Sequence, residues 1–151
     1  MNKEIIAVLV AFAMLYGCLG QGQVSNEEVE KVLNGTDRKN VSVDILMYYG
    51  EGCPHCANTI TLINELNQSY NISMTLKETW HNDANQNEMY ATYNKFGANT
   101  SLAGVPTMVI DKKMMIIGEI SVKNWIKVID TCGNGKCPSG VFDDDKVSAM
   151  G

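Results

Sequence analysis

Between positions 41 and 130 the apolar residues change their period several times, and each change marks an element. Val43 to Tyr49 is a nearly continuous apolar run of strand length, interrupted by Asp44, which predicts a strand buried on both faces. Ile60, Leu62, Ile63 and Leu66 share one helical face within Ala57 to Asn67. Ile72, Met74 and Leu76 then alternate with Ser73, Thr75 and Lys77, a period of two that predicts a second strand. Met89, Tyr90, Tyr93 and Phe96 return to helical spacing between Asp83 and Phe96, and Gly97 ends that helix. Thr107 to Ile110 and Met114 to Ile117 predict two short strands in a hairpin closed by Asp111-Lys112-Lys113. Val122, Trp125, Ile126 and Ile129 mark a last helix with Ser121 as its N-cap. The predicted order is β-α-β-α-β-β-α, an α/β domain with a central mixed four-stranded sheet flanked by helices.

The flanks have other patterns. Ile5 to Tyr16 is a twelve-residue apolar run after Lys3, too short to span a bilayer comfortably and of the length of a signal-peptide core. Residues 1–20 are therefore expected to be an export segment. In residues 21–40, Ser25 with Glu28 forms a capping-box pattern ahead of Val29, Val32 and Leu33, which predicts a tether with one short helix. Residues 41–137 make the folded domain. Residues 138–151 carry the acidic run Asp143-Asp144-Asp145 and few apolar side chains, so a disordered tail is expected.

Charge and sulfur narrow the chemistry. A net charge of −5 argues against nucleic acid as a partner. The chain has five cysteines, an odd number, so one lacks an obvious partner. That one is Cys18. Leu15-Tyr16-Gly17-Cys18 resembles the lipobox of prokaryotic lipoproteins, which implies cleavage before Cys18 and lipidation of its sulfur. Simple secretion and an uncleaved N-terminal anchor are the other two readings. Export would put the remaining cysteines outside the reducing cytosol, where disulfides persist.

Cys53-Pro54-His55-Cys56 is the richest motif. It follows the first strand and opens the first helix. A thiol at a helix N-terminus faces unpaired N–H groups and the positive end of the helix dipole, both of which favour the thiolate. A second thiol one turn on can close a disulfide with it or attack a mixed one.

Strand, Cys-x-x-Cys, helix, and then Gly104-Val105-Pro106-Thr107 just before the third strand: this combination resembles the thioredoxin fold, over about Val41 to Asp130. The resemblance implies a cis bond at Pro106, beside the sulfurs. The Pro54-His55 dipeptide resembles the DsbA-type thiol oxidases. That implies Cys53 as the exposed, acidic nucleophile, Cys56 as the buried resolving thiol, and His55 as a donor to the Cys53 thiolate. Pro54, Val105 and Thr107 would border the substrate, with the Val105 backbone pairing to an extended client segment. Two departures stand out. DsbA-type proteins insert a helical domain before the cis-proline, whereas forty-nine residues separate Cys56 from Pro106 here. Thioredoxin also keeps a buried Asp six residues before the nucleophile, where this chain has Met47. Glu51 is the nearby alternative proton acceptor.

The expected function is an extracytoplasmic thiol–disulfide oxidoreductase, oxidase direction slightly ahead of reductase or isomerase. Its expected partners are the thiols or disulfides of exported clients and a membrane redox protein that recycles the centre. Lipid or an N-terminal anchor would hold it to the membrane as a monomer. The redox-active disulfide serves as its own cofactor, and no metal is assigned. The alternative is a non-catalytic metal-binding or protein-binding domain of the same fold. Cys132 and Cys137, separated by Gly133-Asn134-Gly135-Lys136, are expected to close a structural disulfide. A second redox centre, or a zinc site with Cys53 and Cys56, are alternatives. Asn34, Asn40, Asn67, Asn71 and Asn99 begin Asn-x-Ser/Thr sequons that an exported chain can have glycosylated.

Overall fold

The computed structural model describes residues 40–150. The export segment, Cys18, the tether helix and Asn34 lie outside the described residues. The chain runs β1 (Ser42–Tyr49), α1 (Pro54–Leu66), β2 (Asn71–Glu78), α2 (Asp83–Phe96), a 3-10 turn (Thr100–Leu102), β3 (Thr107–Ile110), β4 (Met114–Ile117), α3 (Val122–Thr131), β5 (Gly140–Phe142) and α4 (Asp144–Ser148). The result is an α/β domain with a mixed sheet flanked by helices. The sheet has five strands rather than the expected four, in the order β2-β1-β3-β4-β5.

β1 pairs with β2 in parallel and with β3 in antiparallel register, Met47 opposite Leu76 and Met108. β3 and β4 form the expected hairpin, and its turn places Asp111 and Lys112 at positive φ. This arrangement sends the C-terminal ends of β1, β2 and β4 and the N-terminal end of β3 to the same edge of the domain. The loops 50–53, 79–82, 103–106 and 118–121 therefore meet at one end.

The apolar pattern explains the two layers. Val43, Ile45 and Met47 point into a large core with Leu62, Ile63, Leu66, Trp125, Val128 and Ile129 from α1 and α3. Tyr48 and Val109 face the other way and pack with Met89 and Tyr93 of α2. The expectation that β1 is buried on both faces holds only toward its C-terminal end, at Met47 and Tyr48. One helix covers that second face, and it leaves Asp44 exposed and Leu46 half-buried.

The C-terminal segment corrects the disordered-tail expectation. β5 adds to the edge of the sheet in parallel with β4, Val141 opposite Met115. α4 then turns back and buries Val147 completely in the main core. The acidic triplet is a helix start. Asp143 is the N-cap, accepting from the Lys146 N–H at 2.9 Å. Asp144 accepts from the Ser121 N–H at 2.8 Å and from the Asn124 amide at 2.6 Å, which ties α4 to the start of α3. Burial pulls the Asp144 carboxyl upward, but these hydrogen bonds outweigh it and hold its pKa below the usual value. A carboxylate depressed in the fold adds stability above its unfolded pKa and loses it as pH falls through the folded one. This α4–α3 tie therefore weakens below about pH 4. Replacing Val147 by Ala is expected to cost about 2 kcal/mol in urea unfolding. An unchanged midpoint would mean that α4 is not docked.

Candidate active site

The end of the sheet where the four loops meet is built around the passage from β1 into α1. Gly50-Glu51-Gly52-Cys53 is a tight turn closed by the Cys53 N–H to the Gly50 carbonyl at 3.1 Å, with Gly52 at φ +81°. That conformation suits a type II turn and calls for glycine at its third position. The turn delivers Cys53 as the N-cap of α1 with Pro54 at the first helical position, where its missing N–H costs nothing. The helix thus begins three residues earlier than the apolar stripe indicated, because cap and proline lie outside any hydrophobic pattern.

The Cys53 sulfur takes the place of a capping oxygen and accepts from the Cys56 N–H at 3.3 Å. Cys56, one turn on, points its sulfur at the same spot, 2.6 Å from that of Cys53. A disulfide bond is about 2.05 Å long, so closure needs a shift of only about half an ångström. Cys53 is 7 % exposed and Cys56 1 %. Burial, and then the hydrogen bond to Cys53, push the Cys56 thiol up to about 12. Cys56 is therefore a protonated, enclosed thiol; Cys53, expected to be exposed, is buried as well, though less deeply. Met47, in the position where an acid was missed, is fully buried in the same apolar cluster as both sulfurs. Glu51, the expected alternative acceptor, is exposed, and its carboxylate lies 3.9 Å from His81 Nδ1.

A shallow groove of about 280 Å³ runs past the sulfurs, lined by Tyr49, Gly50, Pro54, Ala57 and Ile60 among others. At the same end lies the Val105–Pro106 peptide bond, which is cis. Its loop is held by a closed ring of hydrogen bonds. The Gly104 N–H donates to the Tyr93 hydroxyl, that hydroxyl donates to Thr107 Oγ1, and Thr107 donates back to the Gly104 carbonyl at 2.6 Å. Thr107 is thus corrected from substrate contact to loop support. It is fully buried and pairs on both sides, with Tyr48 and Ile117. Val105 is half-buried, and its backbone makes no hydrogen bond among the described residues.

His55 also differs from expectation. Its Nδ1 bonds Glu119 Oε2 at 2.6 Å, and no described contact joins it to Cys53. Glu119 gave no signal in the sequence, since nothing in local spacing relates it to position 55. Trp80 was likewise missed as a site residue. It is 53 % exposed, and its indole lies flat on Gly50, where any Cβ would overlap the ring. Glu78 anchors this corner: its carboxylate accepts from the backbone N–H groups of Glu51, Trp80 and His81. Desolvation works against ionisation there, yet the N–H donors prevail and lower its pKa.

The second cysteine pair sits at the opposite end of the sheet. Cys132 and Cys137 are at disulfide distance, 2.13 Å. Gly133 presses on Val41 and Val43 near the start of β1, and the Cys137 sulfur lies by the Ile110 carbonyl at the end of β3. The length of β1, about 25 Å at 3.3 Å per residue, separates the two pairs. A four-cysteine zinc site and direct electron passage between the pairs are both excluded by that distance. Asp111 lies within 4.8 Å of the Cys132 and Cys137 sulfurs, a three-residue group too small for a closed zinc site. Of the described sequon residues, Asn40, Asn67, Asn71 and Asn99 are exposed. Asn67 and Asn99 already use their side-chain oxygens on the N–H groups of Ile72 and Ser101. No helix among the described residues is long and apolar enough to cross a membrane.

The Glu78 anchor carries a pH consequence. Its depressed pKa means that its contribution is complete above the unfolded value, about 4.3, and lost as pH falls through the lower folded one. In a Trp125→Phe variant, which leaves Trp80 as the one tryptophan, fluorescence should stay constant down to about pH 4 and change below. A transition centred above pH 5 would contradict it.

No family model matches this chain, and no curated protein is similar to it.

Proposed function

We propose that this protein is a thiol–disulfide oxidoreductase with a thioredoxin-like fold, working through the Cys53/Cys56 couple. One observation carries the reading: two sulfurs 2.6 Å apart at the N-terminus of a helix, beside a groove that both cysteines line, with Cys56 the more deeply buried. A structural disulfide has no need of a groove beside it, and a metal site needs more ligands than these two. The cis Val105–Pro106 bond at the same end agrees with the thioredoxin resemblance. β5 and α4 are then additions at the far edge of the sheet.

In the oxidising direction a client thiolate attacks Cys53, the S–S bond breaks, and Cys56 leaves as a thiolate. Burial disfavours the Cys56 thiolate, so its protonation opposes attack back on the mixed disulfide. A second client thiolate then attacks the client sulfur of the mixed disulfide, and Cys53 leaves as a thiolate. The client's two thiols become a disulfide, and the protein's disulfide becomes a dithiol. Recycling requires a protein that accepts two electrons, and an exported, membrane-held domain would meet it in the membrane. The open Val105 backbone suits pairing with an extended client segment. Cys132 and Cys137 serve the fold. Their loop is short, so their effect on global stability stays below the roughly 3 kcal/mol of a 15-residue loop.

The test is a redox titration against glutathione in a Cys132→Ala/Cys137→Ala variant. A two-electron transition at Cys53/Cys56 near −120 mV would mark an oxidant and one near −270 mV a reductant. Retention of zinc with no such transition would instead favour the binding-domain reading. In addition, with a disulfide-bonded client peptide, Cys53 of a Cys56→Ser variant should attack the peptide's S–S bond, release one peptide thiolate and accumulate the mixed disulfide, while Cys53→Ser should form none. Mass spectrometry of the non-reduced protein distinguishes the two.

A further inference from the structure

His55 and Glu119 stand 64 positions apart, yet their side chains meet at 2.6 Å. His55 belongs to the first turn of α1 and is 67 % exposed. An exposed histidine there would normally sample several rotamers in water. Glu119 removes that freedom from a separate loop. It sits in the loop between β4 and α3, with only 25 % of its side chain exposed.

That loop is itself anchored. Gly118, at φ +86°, donates its N–H to the Pro106 carbonyl at 2.9 Å. Consecutive residues of one loop thus hold two different parts of the site, Gly118 the cis-proline segment and Glu119 the Cys-x-x-Cys helix start. Local spacing alone relates none of these three segments to one another.

We propose that Glu119 is a positioning residue for the Cys53/Cys56 couple, holding the His55 imidazole at the N-terminus of α1 through Nδ1. This rests on the oxidoreductase reading given above. Three physical points support it. The pair is too exposed to contribute much to folding, since surface ion pairs add little. The carboxylate accepts at Nδ1, so Nε2 is the ring nitrogen without a described hydrogen-bond partner. When protonated, the ring adds positive charge to a helix terminus that already favours the Cys53 thiolate, and a fixed ring supplies it more effectively than a mobile one. Favouring that thiolate favours the reduced couple, which makes the disulfide the stronger oxidant.

The test is a double-mutant cycle read as the equilibrium constant of Cys53/Cys56 with glutathione. Glu119→Ala should shift it about three- to fivefold toward the disulfide, the scale of an exposed charge pair. Glu119→Gln, whose amide oxygen can still accept from Nδ1–H, should recover most of that shift. In a His55→Ala background, Glu119→Ala should have no effect or act in the opposite direction. Equal shifts with and without His55, or no shift at all, overturn the inference while leaving the oxidoreductase reading intact. A wild-type couple that does not equilibrate with glutathione overturns both. A loss of the hydrogen-bonded Nδ1 proton of His55 in the Glu119→Ala nuclear magnetic resonance spectrum should accompany the shift. Its persistence also counts against the proposal.

Discussion

The end of the sheet that carries the Cys-x-x-Cys depends on how β1 gives way to α1. The turn at Gly50–Cys53 is only four residues long, and it must reverse the chain, start a helix and aim a sulfur. Gly52 supplies the left-handed conformation, and Pro54 supplies a φ already suited to the first helical turn. Cys53 can then cap the helix with sulfur instead of oxygen. Its three-residue offset from Cys56 is one helical turn, so the two sulfurs meet and that of Cys53 accepts from the Cys56 N–H. An insertion between Cys53 and Cys56 would rotate Cys56 away from Cys53 and break the couple.

Around that turn, carboxylates act as staples between loops. Glu78 gathers three N–H groups from the loops after β1 and β2. Glu119 reaches from the β4–α3 loop to His55. Asp144 ties α4 to the head of α3. In each case an oxygen meets donors that the end of an element leaves unsatisfied, or a side chain presented there. Two of these three groups, Glu78 and Asp144, have depressed pKa values, so low pH loosens both ends of this network together.

The two cysteine pairs divide along the length of β1. One pair lies where loops meet and borders a groove. The other pins the turn after α3 against the start of β1, away from that groove. Their separation turns a set of four cysteines into two independent chemistries.

Much of this arrangement was legible in order of residues alone. The strands and helices from β1 to α3 follow from apolar periods, and the Cys-x-x-Cys follows the first strand as a local pattern. Its place at a helix start is also local, because cap, proline and helix are neighbours in the chain. The fifth strand was not legible. Gly140-Val141-Phe142 is too short for a period, and it becomes a strand only because the edge of β4 offers it a partner. The role of Asp143 and Asp144 escaped for the same reason, since an acidic run becomes a helix cap only when Val147 behind it has a core to enter. His55 and Glu119, Trp80 and Gly50, and the two cysteine pairs illustrate the general limit. Local order sets which groups a segment carries and how they repeat. Which distant group each one meets is set by how strands align and loops converge, because those contacts depend on three-dimensional packing that no short stretch of sequence encodes.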